Sequence, residues 1–241
     1  MEKKQIQLSG FDLKVTAVIL MLIDHAGAFL FPEIKLLRII GRLSFPIFAF
    51  LVCEGYEHTK DPKKYAMRLL LFAVISEPFF DFARSGSLFD IFGGQNVLFT
   101  FFIAVVTISA CEKQGTWIWS MIGMVFGNLL LTDYGAFGVL LVMLFWYQRK
   151  TKNEIATSLG CFAVGMCFFN FMDYFKASTV FTAEIWYYIL NELASLLSCF
   201  ILFLYNGKRG GEGLPKSVVK YSFYVIYPLQ FLFFGLMASL I

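Results

Sequence analysis

Apolar stretches bounded by charges or turn residues follow one another along nearly the whole chain, near 13–31, 36–56, 66–83, 97–111, 116–131, 136–147, 155–172, 182–205 and 219–241. About 20 apolar residues cross a bilayer as a helix, and a helix satisfies its own backbone polar groups in hydrocarbon. The pattern predicts an all-α polytopic membrane bundle of about nine transmembrane helices, forming a single transmembrane domain over residues 1–241. A soluble alternative fails on surface area. The chain holds 30 Phe and is 59% hydrophobic and 15% charged, against about 25% charged in soluble domains. One water-exposed globule of this length would carry large apolar patches. The stretches 116–131 and 136–147 are short for two crossings, so eight or ten spans are the alternatives to nine.

Basic residues set the orientation, because loops facing the cytoplasm retain Lys and Arg. With nine spans, fifteen of the 20 basic residues fall on one side, and only Lys35, Arg38, Arg42, Arg84 and Lys176 fall on the other. This predicts a multi-pass plasma-membrane protein with a cytoplasmic N-terminus and an external C-terminus. The net charge of +3 then reflects topology and membrane lipids, with no nucleic-acid partner implied. Asp24 and His25 at the end of the first apolar stretch argue against a cleaved signal peptide. Cys53, Cys111, Cys161, Cys167 and Cys199 lie in apolar stretches without metal-ligand spacing and read as small buried hydrophobes, and no metal is predicted. Gly123 and Gly127 have the spacing of close helix packing. Residues 206–215, rich in Gly with Lys208 and Arg209, read as a linker whose amides could alternatively approach phosphates.

Charges inside a bilayer are costly, so those that persist mark candidate sites. In the first span Asp24 precedes His25, a side chain suited to proton transfer near neutral pH. In the second, Arg38 and Arg42 share a helix face at a depth matching Asp24, which predicts an ion pair from Asp24 to one of them. Pro46 predicts a kink there, and Glu54 and His58 stand four apart further along. Glu77 flanks Pro78, another expected kink. Asp81 and Glu33 read as solvated span ends. Asn191 and Glu192 lie near the middle of the eighth span, and Tyr221, Tyr224 and Tyr227 form a stripe before Pro228 and Gln230. Together they predict an internal polar chamber.

Several segments appear in the order of a known family: Met21-Leu22-Ile23-Asp24-His25, Gly41-Arg42-Leu43-Ser44-Phe45-Pro46, Glu54-Gly55-Tyr56-Glu57-His58, Asn96-Val97-Leu98-Phe99-Thr100, Asp133-Tyr134-Gly135, Gly207-Lys208-Arg209-Gly210 and Tyr224-Val225-Ile226-Tyr227-Pro228. They resemble the TraX family of integral membrane proteins, whose named member is associated with N-acetylation of conjugative pilin. The resemblance implies a membrane acetyltransferase taking acetyl from cytoplasmic acetyl-CoA to an amine or hydroxyl of a peptide, pilin-like protein, sugar or lipid. In that picture His25 is the general base, Asp24 orients or charge-balances it, and Arg42 stabilises developing negative charge at the acyl carbonyl. Arg38, Glu54, Arg68, Glu77, Tyr224 and Tyr227 are candidates for substrate binding, and Lys63, Lys64, Lys208 and Arg209 for the phosphates of acetyl-CoA. One departure stands out: Gln230 occupies the place where the family pattern leads one to expect histidine. A proton-coupled membrane transporter and a non-catalytic membrane assembly protein are the alternatives from other classes.

Overall fold

In the computed structural model the described residues are 7–90, 93–148, 152–177 and 183–240, and they are all-helical, with no named strand among them. The order is α1 (Gly10–Phe29), α2 (Lys35–Gly41), α3 (Ser44–Glu57), α4 (Pro62–Ser85), α5 (Val97–Gln114), α6 (Ile118–Leu129), α7 (Gly135–Tyr147), α8 (Lys152–Ala177), α9 (Ala183–Ala194), a 3₁₀ turn (Ser195–Leu197), α10 (Ser198–Leu202) and α11 (Lys216–Ala238). Among the described residues four segments have the length and apolarity of a membrane crossing: Lys35–Glu57 taken through its internal turn, Val97–Gln114, Lys152–Phe171 and Ser217–Ala238. Exposed apolar side chains such as Leu71, Val74, Val164, Phe168 and Phe233 face away from the core, as lipid contact requires. This is a membrane protein.

The nine expected stretches are thus not nine uniform helices. The second is broken at Arg42 and Leu43, where α2 gives way to α3. Pro46 supplies the reason, since it has no N–H for the Arg42 carbonyl and its ring would collide with that oxygen. The eighth is divided by the 3₁₀ turn, and residue 182 lies outside the described residues, as does residue 241 at the end of the ninth. With 12 and 13 residues, α6 and α7 extend only about 18–20 Å, short of a hydrocarbon core of about 30 Å. Pro78 does not interrupt α4, which continues to Ser85.

Helix ends are closed locally. Ser9 and Asp12 form a capping box on α1, and the Asp61 and Asn96 side chains accept the backbone N–H of Lys64 and Leu98 at 3.0 Å each. The 206–215 segment is more than a linker. Gly10 N–H donates to the Lys208 carbonyl at 2.8 Å and Phe11 N–H to that of Arg209 at 2.9 Å, so the loop caps the first turn of α1. In the interior, α4 packs on α5 and α11, α1 on α2, α3 and α11, and α7 on α3, α5, α6 and α8. Gly41 permits the close approach of α2 to α1, since a Cβ there would lie 2.2 Å from the Asp24 Cβ. Gly123 and Gly127 seat α6 against Thr107 and the Gly135 backbone. Of the cysteines expected to be buried, Cys53 and Cys111 are, Cys167 and Cys199 are half-buried, and Cys161 is exposed among the outward apolar residues.

Candidate functional site

Two cavities occupy the bundle and share Met21, Phe48, Val97, Phe101 and Tyr227 as a common wall. The smaller, about 300 Å³, is lined by Asp24, His25, Arg38, Arg42, Asp133 and Tyr134 among others. The larger, about 490 Å³, reaches the end of the bundle where α1 begins and α3 ends, and its walls include Lys14, Lys60, Arg68, Arg209 and Lys220.

Around the smaller cavity the break between α2 and α3 separates the roles of the two arginines. Arg38 pairs with Asp24 through Nη1 and Oδ2, settling the two-way expectation for that carboxylate. Arg42 turns elsewhere. Its Nη1 donates to the Tyr134 hydroxyl at 2.8 Å and its Nη2 lies 3.7 Å from Glu192 Oε1. With the Asn191 amide oxygen facing the guanidinium, Nε and Nη2 donate to it at 2.7 and 3.2 Å. Asn191 and Glu192 are each only 3% exposed, so Arg42 ties α9 to α3 and to the start of α7. Tyr134, in a left-handed backbone conformation at φ 60°, stacks on Phe45 with ring centroids 3.7 Å apart. Two carboxylate oxygens, Asp24 Oδ1 and Glu192 Oε2, are buried without a hydrogen-bond partner.

His25 sits among Phe29, Phe231 and Phe234. Asp24 acts on it through its charge but does not take the orienting hydrogen bond, because adjacent residues diverge by about 100° on a helix and Asp24 is held by Arg38. Gln230 takes that place: its Oε1 is 3.1 Å from His25 Nδ1, and its Nε2 donates to Met21 Sδ at 3.3 Å. A thioether accepts but cannot donate, which fixes the amide with its nitrogen toward Met21 and its oxygen toward His25. An amide oxygen accepts only, so in this arrangement the neutral imidazole has its proton on Nδ1 and keeps Nε2 as the basic nitrogen.

The remaining candidates separate. Tyr227 lines both cavities, and Arg68 and Tyr224 line the larger one. Arg68 lies over the Tyr65 ring at 5.5 Å, with its Nε buried and unbonded. Glu54 and Glu77 line neither. Glu54 accepts from the Tyr205 hydroxyl at 2.6 Å, and Glu77 accepts from the Asn96 backbone N–H at 3.1 Å and from its side chain, bracing α4 against the start of α5. Asp81 is no solvated end: it is 3% exposed and accepts from Arg84 at 3.4 Å and from the Asp90 N–H at 2.8 Å. Of the four residues expected at phosphates, only Arg209 lines either of these two cavities. Lys63, Lys64 and Lys208 are exposed outside it, with Lys64 paired to Asp61 at 3.2 Å.

Lys14, Lys60 and Lys220 escaped the sequence reading as site residues, since loop charge counts do not say which side chains turn inward. Tyr134 was read only within the segment Asp133-Tyr134-Gly135 that carries the family resemblance, and no local pattern joined it to Arg42, 92 residues earlier.

The chain is similar over its length to the probable fimbrial assembly protein FimC, serogroup H1, of Dichelobacter nodosus, with 29% identity over 94% of each chain. It is 30% identical to an uncharacterized protein of Rickettsia prowazekii over 62% of this chain and 59% of the other. It is 29% identical to Protein TraX of Escherichia coli strain K12, over 62% of this chain and 60% of that protein. No solved structure matches. The family described as TraX protein matches residues 9–238, and the chain belongs to that family of membrane proteins.

Proposed function

We propose that the protein is an integral membrane acetyltransferase that moves acetyl from acetyl-CoA to an amine or hydroxyl acceptor, with His25 as general base. The observation that carries this reading is one cavity wall holding a histidine, hydrogen-bonded to Gln230, beside Asp24, Arg38 and Arg42. His25 Nε2 takes a proton from the acceptor as its nitrogen or oxygen attacks the thioester carbonyl. The C–S bond breaks as the new C–N or C–O bond forms, and the proton passes to the departing thiolate, leaving acetylated acceptor and CoA. Arg42, held by Tyr134, Asn191 and Glu192, presents fixed positive charge to the developing oxyanion. Asp24 Oδ1, buried without a donor at the cavity wall, suits an incoming N–H or O–H.

The acceptor is a peptide, a pilin-like protein, a sugar or a lipid. The name of the similar fimbrial assembly protein favours a fimbrial subunit. Fifteen basic residues on one side in a nine-span path support a cytoplasmic N-terminus and donor access from the cytoplasm. A second reading, a proton-coupled carrier, is favoured by two cavities divided by a thin shared wall.

The test is release of CoA from acetyl-CoA by purified protein in nanodiscs, wild type beside His25→Ala. Removing a general base is expected to lower the rate about 10²–10⁴-fold with folding retained. Equal release by both would remove His25 from the mechanism, and acetyl-CoA-independent solute flux in sealed vesicles would favour the carrier.

A further inference from the structure

The larger cavity gathers Lys14, Lys60, Arg68, Arg209 and Lys220, and among its described lining residues there is no carboxylate. None of the five forms an ion pair among the described residues. Retention of basic loops on one membrane face accounts for lysines scattered over a surface. It does not account for cations drawn around one hollow from four separate elements: α1, the α3 to α4 region, the 206–215 loop and α11.

Each cation is placed by structure rather than by loop charge. Arg68, on the second turn of α4, is set over Tyr65, next to Tyr224. Lys14 extends over the Phe223 ring at 5.6 Å and is close enough to Arg209 for the two charges to repel. Arg209 is brought there because the loop around it caps α1 through the Lys208 and Arg209 carbonyls. Like charges so assembled, with one guanidinium nitrogen buried and unbonded, raise the energy of the empty site and favour an anion. The deeper wall is different in kind. Phe48, Leu51, Leu98 and Phe101 line it, and it ends at the residues shared with the His25 cavity.

We propose that this cavity binds a phosphate-ester head group among Lys14, Arg68, Arg209 and Lys220, with a slender, largely uncharged arm running inward past Phe48 and Phe101 toward the shared wall. Placing an acyl thioester at the end of that arm rests on the acetyltransferase reading; the phosphate site itself does not. A soluble phosphorylated carrier and an anionic lipid head group share this chemistry, and the bilayer composition distinguishes them.

The experiment measures binding of CoA and of adenosine 3′,5′-bisphosphate to the full chain in phosphatidylcholine nanodiscs, then repeats it with phosphatidylglycerol included. CoA is expected to bind in both, to be displaced by the bisphosphate but not by adenosine, and to weaken roughly tenfold, equivalent to about 1.4 kcal/mol, on either Arg209→Gln or Lys220→Gln. Both residues are exposed at the mouth, so these variants retain the fold. Loss of CoA binding on inclusion of phosphatidylglycerol, with binding intact in phosphatidylcholine, identifies the lipid head group as the occupant. Wild-type affinity in the Arg209→Gln/Lys220→Gln double variant, or binding of neither phosphate source, overturns the site. His25→Ala separates the two readings: cation-dependent CoA binding with turnover indifferent to His25 leaves the site standing and removes the acetyltransfer mechanism, while cation-independent binding with His25-dependent turnover does the reverse.

Discussion

Every arginine at the smaller cavity has a partner, Arg38 on Asp24, Arg42 on Tyr134, Asn191 and Glu192, and Arg84 on Asp81 and Asp90, whereas the five cations at the larger cavity form no ion pair among the described residues. Charge buried in the first region is compensated inside the protein and holds helices in place. In the second it is uncompensated: Lys60, Arg209 and Lys220 are exposed to water, and Lys14 and Arg68 are half-buried behind them. Stability should therefore depend on the first set and ligand affinity on the second.

Arg42→Leu breaks this distinction most severely. It leaves the Glu192 carboxylate, only 3% exposed, without its cation, and removing one partner of a buried pair costs about 3–5 kcal/mol. Thermal unfolding in detergent should show a large fall, with much of it recovered in Arg42→Leu/Glu192→Leu, since the pair together is worth far less than either charge alone. Lys60→Ala, at the other cavity, should leave the midpoint nearly unchanged. Gly41→Ala comes next. Its methyl would sit 2.2 Å from the Asp24 Cβ, so α1 and α2 must separate at a cost of about 1–3 kcal/mol, read as a lower unfolding midpoint.

A finer effect concerns His25. With ring-¹⁵N-labelled histidine the chain gives two residues' signals, His25 and His58, and His58→Gln identifies them. The wild-type His25 should be the Nδ1–H tautomer, and Gln230→Leu should yield a mixture, because the amide oxygen that accepts that proton is gone. An Nε2–H tautomer in the wild type would contradict the amide orientation derived from Met21. The smallest effect lies outside the membrane. Asp61 accepts the Lys64 N–H, and these bonds hold its carboxyl below the ordinary range. A depressed folded-state value adds stability above the unfolded pKa, lost as pH falls through the folded one. Asp61→Ala should lower the midpoint slightly at neutral pH, and the difference from wild type should vanish in strong acid.

Much of this arrangement was legible in the residues. Pro46 announced the break between α2 and α3, and the rarity of intramembrane charge singled out Asp24, His25, Arg38, Arg42 and Glu192. Their pairing was not legible. Arg38 and Arg42 share one face of an ideal helix, and only the break after Gly41 sends one to α1 and the other to α7 and α9. Partners of Arg42 lie at Tyr134 and at Asn191, far along the chain, and no local pattern connects them. The replacement of an expected acidic orienting group by Gln230 likewise depends on α11 packing against α1. Charge counts on loops do not tell which cations meet the hollow, because Lys63 and Lys64 turn outward while Lys14 and Lys220, on helices, line it.

The account stands on chemistry at His25 fed from the basic end of the bundle. Its most direct test supplies acetyl-radiolabelled acetyl-CoA to one side of sealed membrane vesicles of defined orientation containing the wild-type chain or His25→Ala, and measures label that becomes stably attached to vesicle protein, lipid or sugar. The account predicts incorporation by the wild type only when donor meets the face bearing Lys60 and Arg209, and its loss in the variant. Equal labelling by both proteins, or labelling from the opposite face alone, would contradict it.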